Sequence, residues 1–300
     1  MNPQLKKALL IPFDFLYCIS PKLELSLLYY LKCRTKMNWD NPRTYLEKLN
    51  WMKLYYRNEL MPKCADKFLA RSYVEEMGYG EYLPKLLWEG FDPEQIPFDD
   101  LPEAFVIKST TGSGNNIICR DRSALNRKKT VKQLNKWLKE KYLPCYGEWH
   151  YEHIVPRIII EEYISDGEHL VPVDYKLFCF NGLADRVGCV AVDLGRYVDH
   201  KRNIYDAEFC FLQDVSFNFK RDYEANIPRP FMFEKMREIA RNLAEPFPHV
   251  RVDFFVVGEK LYIGELTFFN GAGFDLITPA DYNMMMGDWI VLQTKTKEGN

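Results

Sequence analysis

A chain of 300 residues can bury a sizeable core and form two or three lobes. Its hydrophobic fraction of 47% and charged fraction of 27% are those of an ordinary globular protein. A net charge of −2 gives no reason to expect nucleic-acid binding or bulk attraction to an anionic membrane, and the eight scattered cysteines, with no CxxC pair, exclude a zinc spacing and suit free thiols in a reducing cytoplasm.

Lys6 and Lys7 ahead of Ala8-Leu9-Leu10-Ile11 have the outline of a signal peptide, but Pro12 and Asp14 interrupt the apolar run and no small-residue cleavage site follows. A cytoplasmic protein is therefore expected. No stretch approaches the ~18 apolar residues of a membrane span. The apolar segment 23–31, with Tyr29 and Tyr30, is expected to pack on the body of the protein, with docking on a membrane or partner as the alternative. Asn41-Pro42 reads as a helix cap with proline in the first turn, opening a helix to about Arg57 with Leu46, Leu49 and Tyr56 facing inward. A second helix is expected from Asp66 to just before Gly78, and the proline-rich, acidic stretch 84–102 reads as a connector.

Strands are then predicted over 105–108 and 116–120, a basic amphipathic helix over 123–142, and a buried strand over 158–164. Strands over 175–180 and 183–192 are joined by Asn181-Gly182, a hairpin signal. A helix over 231–244, a second hairpin of 250–257 with 261–267, and a closing helix over 279–292 complete the reading. Hairpins dominate over repeating βαβ units, so the fold class is α+β with antiparallel sheets.

Two charged segments carry chemistry. In the first, Lys108 ends an apolar strand and runs into Thr110, Thr111, Gly112, Ser113 and Gly114. Glycines let backbone N–H groups approach phosphate oxygens and hydroxyls add donors, although a plain tight turn remains open. There is no GK[ST], so this is not a P-loop. In the second, a three-residue loop 258–260 would set Val257 against Leu261, Asp253 against Glu265 and Arg251 against Thr267. Two carboxylates facing each other require a cation between them. A hard divalent ion such as Mg²⁺, held by one or two carboxylates plus substrate phosphates, is the expected filler. Arg251 shares the strand face of Asp253 and is placed to reach the same phosphate or a developing oxyanion. Together the segments suggest a nucleotide-dependent enzyme. His150 and His153 have metal-like spacing but no clear partners, and read as surface or locally hydrogen-bonded residues. His200-Lys201-Arg202 reads as a solvated basic turn or, alternatively, a contact for an anionic substrate. Trp149 and Tyr151 read as core or as a platform for a glycan.

The order of Lys108 with its glycine loop, Glu161-Glu162-Tyr163-Ile164, Asp174-Tyr175-Lys176, Arg251-x-Asp253 and Glu265 resembles the ATP-grasp superfamily. Ala65-Asp66-Lys67, the run 105–119, the run 174–182 and Glu265-Leu266-Thr267 resemble its TupA-like branch, over about residues 41–281. The resemblance implies an ATP-grasp fold whose two α+β lobes grip a nucleotide. Residues 1–60 would form a helical N-terminal region, 61–103 a substrate-side connector, 104–165 the small lobe and 166–300 the large lobe.

It also implies roles. Lys108 would contact the nucleotide phosphates under a cover formed by 110–114. Glu161, Glu162, Tyr163 and Ile164 would be the hinge at the adenine and ribose. Lys176 would sit near the nucleotide, Asp253 and Glu265 would hold Mg²⁺, and Arg251 would stabilise the transferring group. Many relatives carry Asn where this chain has Thr267, so Asn270 is the expected substitute ligand, and Gly271 and Gly273 would line the acceptor pocket. The activity implied is ATP-dependent joining of a carboxylate to an amine in teichuronopeptide, capsule or O-antigen biosynthesis, with an amino acid or peptide amine and a uronic-acid glycan as substrates and peripheral association with a membrane-bound assembly. A glycosyltransferase of the same pathway, for which no DxD motif is found, and a non-catalytic binding module are the alternatives.

Overall fold

The protein is described as a computed structural model covering residues 3–111, 114–140, 142–196, 198–225 and 227–293. The chain opens with two helices, α1 (Pro3–Ile19) and α2 (Pro21–Cys33), joined by Ser20, whose hydroxyl caps α2 by accepting from the Leu23 N–H. Pro12 lies inside α1 and does not end it. Helix α3 (Tyr45–Tyr55) starts three residues later than Asn41-Pro42 suggests, because Thr44 and Glu47 form a capping box. Leu46, Leu49 and Tyr56 are buried as expected.

The single helix expected from Asp66 is two, α4 (Leu60–Ala65) and α5 (Leu69–Glu76). The Asp66 carboxylate accepts from the N–H groups of Phe68 and Leu69 and starts the second helix instead of extending the first. The expected connector contains strand β1 (Leu86–Gly90), hidden by its Pro- and Glu-rich flanks. Strands β2 (Phe105–Ser109) and β3 (Asn116–Cys119) follow, then helix α6 (Arg127–Leu138), capped by Asn126, and strand β4 (Ile158–Glu162). These strands form an antiparallel sheet in the order β1-β4-β2-β3. Val131, Leu134 and Trp137 of α6 close a core of its own against Phe105, Ile107, Ile158 and Ile160.

The second sheet has the order β10-β9-β5-β6-β7 and is built from β5 (Asp174–Phe180), β6 (Val187–Leu194), β7 (Lys201–Asp206), β9 (His249–Val257) and β10 (Lys260–Thr267). Strand β8 (Ser216–Phe217) pairs with β11 (Ile277–Thr278) as a separate ribbon. Helix α7 (Phe233–Ala244) lays Met236, Ile239, Ala240 and Leu243 on the second sheet. Helix α8 (Ala280–Asp288) packs against α3, where Lys48 donates to the carbonyls of Gly287 and Ile290.

Asn181-Gly182 does not make a two-residue turn. The connection runs to Arg186, whose carbonyl accepts from Phe180, while the Gly182 N–H donates to the Trp289 carbonyl. His200-Lys201-Arg202 is not a turn either, since Lys201 and Arg202 begin β7.

Gly287 marks the tightest joint between the chain's two ends. A Cβ there would fall on the Arg43 carbonyl oxygen and the Thr44 backbone, neither of which can yield without moving the start of α3. Gly287→Ala is therefore expected to destabilise the protein by roughly 1–3 kcal/mol, read as a lower urea midpoint with an unchanged m-value. An unaltered midpoint would show that α8 docks less closely than described.

Candidate functional site

Strands of both sheets line one cleft. A cavity of about 130 Å³ lies between Val106, Lys108 and Ile118 of the first sheet and Asp174, Asp253 and Glu265 of the second. It shares Lys67, Glu161 and Glu265 with a larger cavity of about 1100 Å³ that extends toward Tyr142, Glu148, Phe269 and Asp275.

The first wall follows from sheet register. Lys108 and Glu161 lie on neighbouring strands, and the Lys108 ammonium donates to Glu161 Oε2 at 2.6 Å. Arg71 of α5 donates to Glu161 Oε1 at 2.8 Å. Glu161 thus orients two cations toward the cleft mouth. Glu162 accepts from the Lys85 N–H, and Tyr163 and Ile164 line the cleft beyond it. Thr110 is turned away, with its hydroxyl accepting from the Arg157 N–H, whereas Thr111 lines the larger cavity. Gly114, in the left-handed conformation at φ 80°, borders the smaller one. Gly112 and Ser113 lie outside the described residues.

The second wall depends on a bulge. Val257 pairs with Lys260, so the β9–β10 turn has two residues and not the three expected. Uncorrected, that register would turn Glu265 to the opposite face. Gly264 and Glu265 together oppose Asp253, and the extra residue restores the pairing of Arg251 with Thr267 that the sequence predicts. A Cβ on residue 264 would lie 3.0 Å from the Phe255 ring, so a larger residue at the bulge would press on that side chain.

The cation between the facing carboxylates is Arg251. Its guanidinium donates to Asp253 at 2.6 and 2.7 Å, to Glu265 Oε1 at 3.1 Å, to the Thr267 hydroxyl at 3.0 Å and to Asn270 Oδ1 at 2.7 Å. Lys176 donates at 2.5 Å to Asp253 Oδ2, an oxygen it shares with Arg251, bonds Asp174 at 2.5 Å and lies 3.8 Å from Asp193. It is 3% exposed and lies beneath the cleft floor instead of lining it. Asp193 is clamped in turn by Arg202 at 2.5 and 2.8 Å.

Burial pushes the Glu265 carboxyl up, but Arg251, Lys67 and Lys176 outweigh it and hold it down to about 2. Its side chain remains 38% exposed, so an ionised oxygen faces the cleft. Burial raises Asp174 above the usual carboxylate range, with Asp253 and Asp193 adding to that effect. Among the described residues no group of three or more His, Cys, Asp or Glu side chains is placed to hold a metal. Asp253 and Glu265 supply two carboxylates at the cleft, which suits a hard cation that also takes phosphate oxygens. Asn270, the expected third ligand, is directed at Arg251 instead.

Behind Asn270 a buried network holds it in place. Its amide donates to the Tyr45 hydroxyl at 2.8 Å, which lies 3.0 Å from His249 Nε2. His249 Nδ1 lies 2.8 Å from the Cys179 carbonyl, which can only accept, so the proton sits on Nδ1 and Nε2 accepts. Burial drives the His249 imidazole down to about 3.

The other expected substrate residues sit elsewhere. Lys201 pairs with Asp222 at 2.9 Å, Arg202 is spent on Asp193, and His200 lies 3.2 Å from Asp193. Gly271 lines the larger cavity, while Gly273 is buried with its carbonyl accepting from Asn50. Sequence reasoning missed Arg71, Asp193 and Arg196, which donates to Asp174 at 3.1 Å, as members of this charge cluster. Asp193 was legible as a lone acid in the apolar run 187–194, but its partners come from other strands.

A family model described as TupA-like ATPgrasp matches residues 47–291. Similar solved structures include the D-alanine–D-alanine ligase from Bacillus anthracis complexed with ATP, at 15% identity and TM-score 0.40, covering 69% of this chain and 54% of that one. An ADP complex of N5-carboxyaminoimidazole ribonucleotide synthetase matches at 17% identity and TM-score 0.43, covering 70% and 46%. The L-amino acid ligase from Bacillus licheniformis matches at 15% identity and TM-score 0.42, covering 70% and 44%. The chain spans about half the length of these solved structures. No curated protein matches it.

Lys176→Met leaves Asp174, Asp193 and Asp253 converging without their shared ammonium. A loss of about 3–5 kcal/mol of stability is expected, measurable by urea unfolding; a loss under ~1 kcal/mol would contradict this view of the cluster.

The His249 imidazole binds its proton less well folded than unfolded, so its contribution is complete above about 6.5 and is lost as pH falls toward 3. Between pH 6.5 and 4.5, His249→Gln should therefore show a stability–pH slope smaller than the native chain's by up to ~1.4 kcal/mol per pH unit. Equal slopes in the two proteins would mean that His249 is not held neutral.

Proposed function

Because the chain belongs to the TupA-like ATPgrasp family, we propose that it is an ATP-dependent carboxylate–amine ligase. The observation that carries this reading is the convergence of Lys108, paired with Glu161, and of Asp253 and Glu265, bridged by Arg251, on one cleft between two sheets.

A carboxylate oxygen of the substrate attacks the γ-phosphorus of ATP, the bond to the β-phosphate oxygen breaks, and ADP leaves. The amine nitrogen then attacks the acyl carbon, expels phosphate and loses a proton, leaving an amide. Such chemistry rests on positioning and charge neutralisation and needs no protein nucleophile. Lys108 and Arg71, fixed by Glu161, meet the phosphates. The hinge 161–164 receives the base, and Thr111 and Gly114 border the phosphates. Asp253 and Glu265 would hold Mg²⁺, which would supply charge neutralisation for the phosphates. Arg251 is held by Asp253, Thr267 and Asn270 so that one face stays directed at the transferring group, and Lys176 keeps Asp253 in place. The acceptor occupies the larger cavity beside Gly271. Its aromatic walls at Tyr142, Tyr146, Tyr151 and Phe274 suit a sugar ring, and Glu148 suits an ammonium. This supports a uronic-acid glycan and an amino-acid or peptide amine as the joined partners, in the assembly of a bacterial cell-surface polysaccharide.

ADP release from ATP and Mg²⁺ with pooled amino acids and uronic-acid glycans tests the reading. Substrate-dependent ADP is expected, lost by at least ~100-fold in Asp253→Asn/Glu265→Gln, with an acyl hydroxamate formed when hydroxylamine is added. ADP release without hydroxamate would favour a kinase, and failure to bind ATP would overturn the assignment.

A further inference from the structure

The first two helices are two-faced. Leu10, Leu25, Leu28 and Tyr29 turn inward and are buried, and Asp14 accepts from the Cys145 N–H. The outward residues are apolar as well. Ile11, Phe15 and Ile19 recur at every fourth position of α1, and Leu23, Leu27 and Leu31 repeat that spacing on α2. These six side chains are between 42% and 69% exposed, and Tyr30 stands beside them at 50%. No helix among the described residues is long and apolar enough to cross a membrane. A monomer in water rarely leaves so continuous an apolar stripe uncovered.

Charge says what covers it. Between residues 10 and 36 the only acids are Asp14 and Glu24, the first bonded inward and the second fully buried. Lys22, Arg34 and Lys36 are exposed, while Lys32 borders the larger cavity near Asp275, so a chain of net charge −2 carries an excess of exposed cations, a basic rim, beside this stripe. A second copy of the chain would bring these cations against their own kind. An anionic bilayer surface instead accepts apolar side chains at the headgroup boundary and attracts the basic rim.

We propose that the outer face of α1 and α2 is a membrane-docking surface that lies in the interface of a bilayer containing anionic lipid. This surface lies on the exposed faces of α1 and α2 and is independent of the ligase chemistry.

Flotation of the full chain with extruded vesicles tests it. With vesicles of phosphatidylcholine and phosphatidylglycerol at 70:30 in 0.1 M salt, the protein is expected to float. Binding should fall at least tenfold on pure phosphatidylcholine and fall again in 0.5 M salt. Phe15→Ser/Ile19→Ser/Leu23→Ser/Leu27→Ser should lose binding at least tenfold while keeping its melting midpoint, because all four side chains are exposed. If that variant misfolds, Lys22→Glu/Lys36→Glu decides the matter by the same readout. Protein left unbound on the mixed vesicles would overturn the proposal, as would equal flotation of the variants. So would a dimer in sedimentation equilibrium that the serine variant dissolves, which would make the face a contact between copies.

Discussion

Four carboxylates, Asp174, Asp193, Asp253 and Glu265, converge on one side of a single sheet, and three of them are almost wholly removed from solvent. Isolated charges at such depth are prohibitive, so every one is bonded to a cation. Lys176 bridges Asp174 and Asp253, Arg251 bridges Asp253 and Glu265, and Arg202 clamps Asp193 beside Lys176. The cluster is therefore a chain in which Lys176 and Arg251 are each positioned from two sides. Fold and site meet here, because β5, β6, β7, β9 and β10 must be in register before any of these pairs can form. The neutral His249–Tyr45–Asn270 network extends the same order to helix α3, so the N-terminal half of the chain helps hold Arg251.

Two cores give the cleft its shape. The sheet β1-β4-β2-β3 closes with α6 on a core of its own, while the larger sheet shares its core with α2, α3, α7 and α8. The cleft runs along the boundary between these cores, where side chains are not committed to either interior. Lys108 sits there partly exposed above the buried Glu161, and the cavity beyond Glu265 opens toward aromatic walls. The N-terminal helices use the same arrangement differently, contributing one face to the large core and leaving the other outside.

Much of this was legible in the sequence. Apolar alternation located β2, β4, β5 and β9, and the lysine, carboxylates and arginine that interrupt those runs marked the cleft, because a charge inside an apolar strand is costly without a partner. Its local patterns also marked α3, α6 and α7 to within a few residues. Register and partners depended on the tertiary structure. The β9–β10 turn has two residues and a bulge at Gly264 restores the register at Arg251, a compensation that no local pattern reveals because pairing is decided by what the strand packs against. Strand β1 was hidden because its identity comes from pairing with β4 rather than from its own composition. Lys201 and Arg202 read as a wet turn because their acids, Asp222 and Asp193, lie on other segments. The chain by itself determined which residue types could do the chemistry. Only the assembled sheets decided which of them face the cleft and which are spent on each other, since a buried charge takes its partner from across space and not along the sequence.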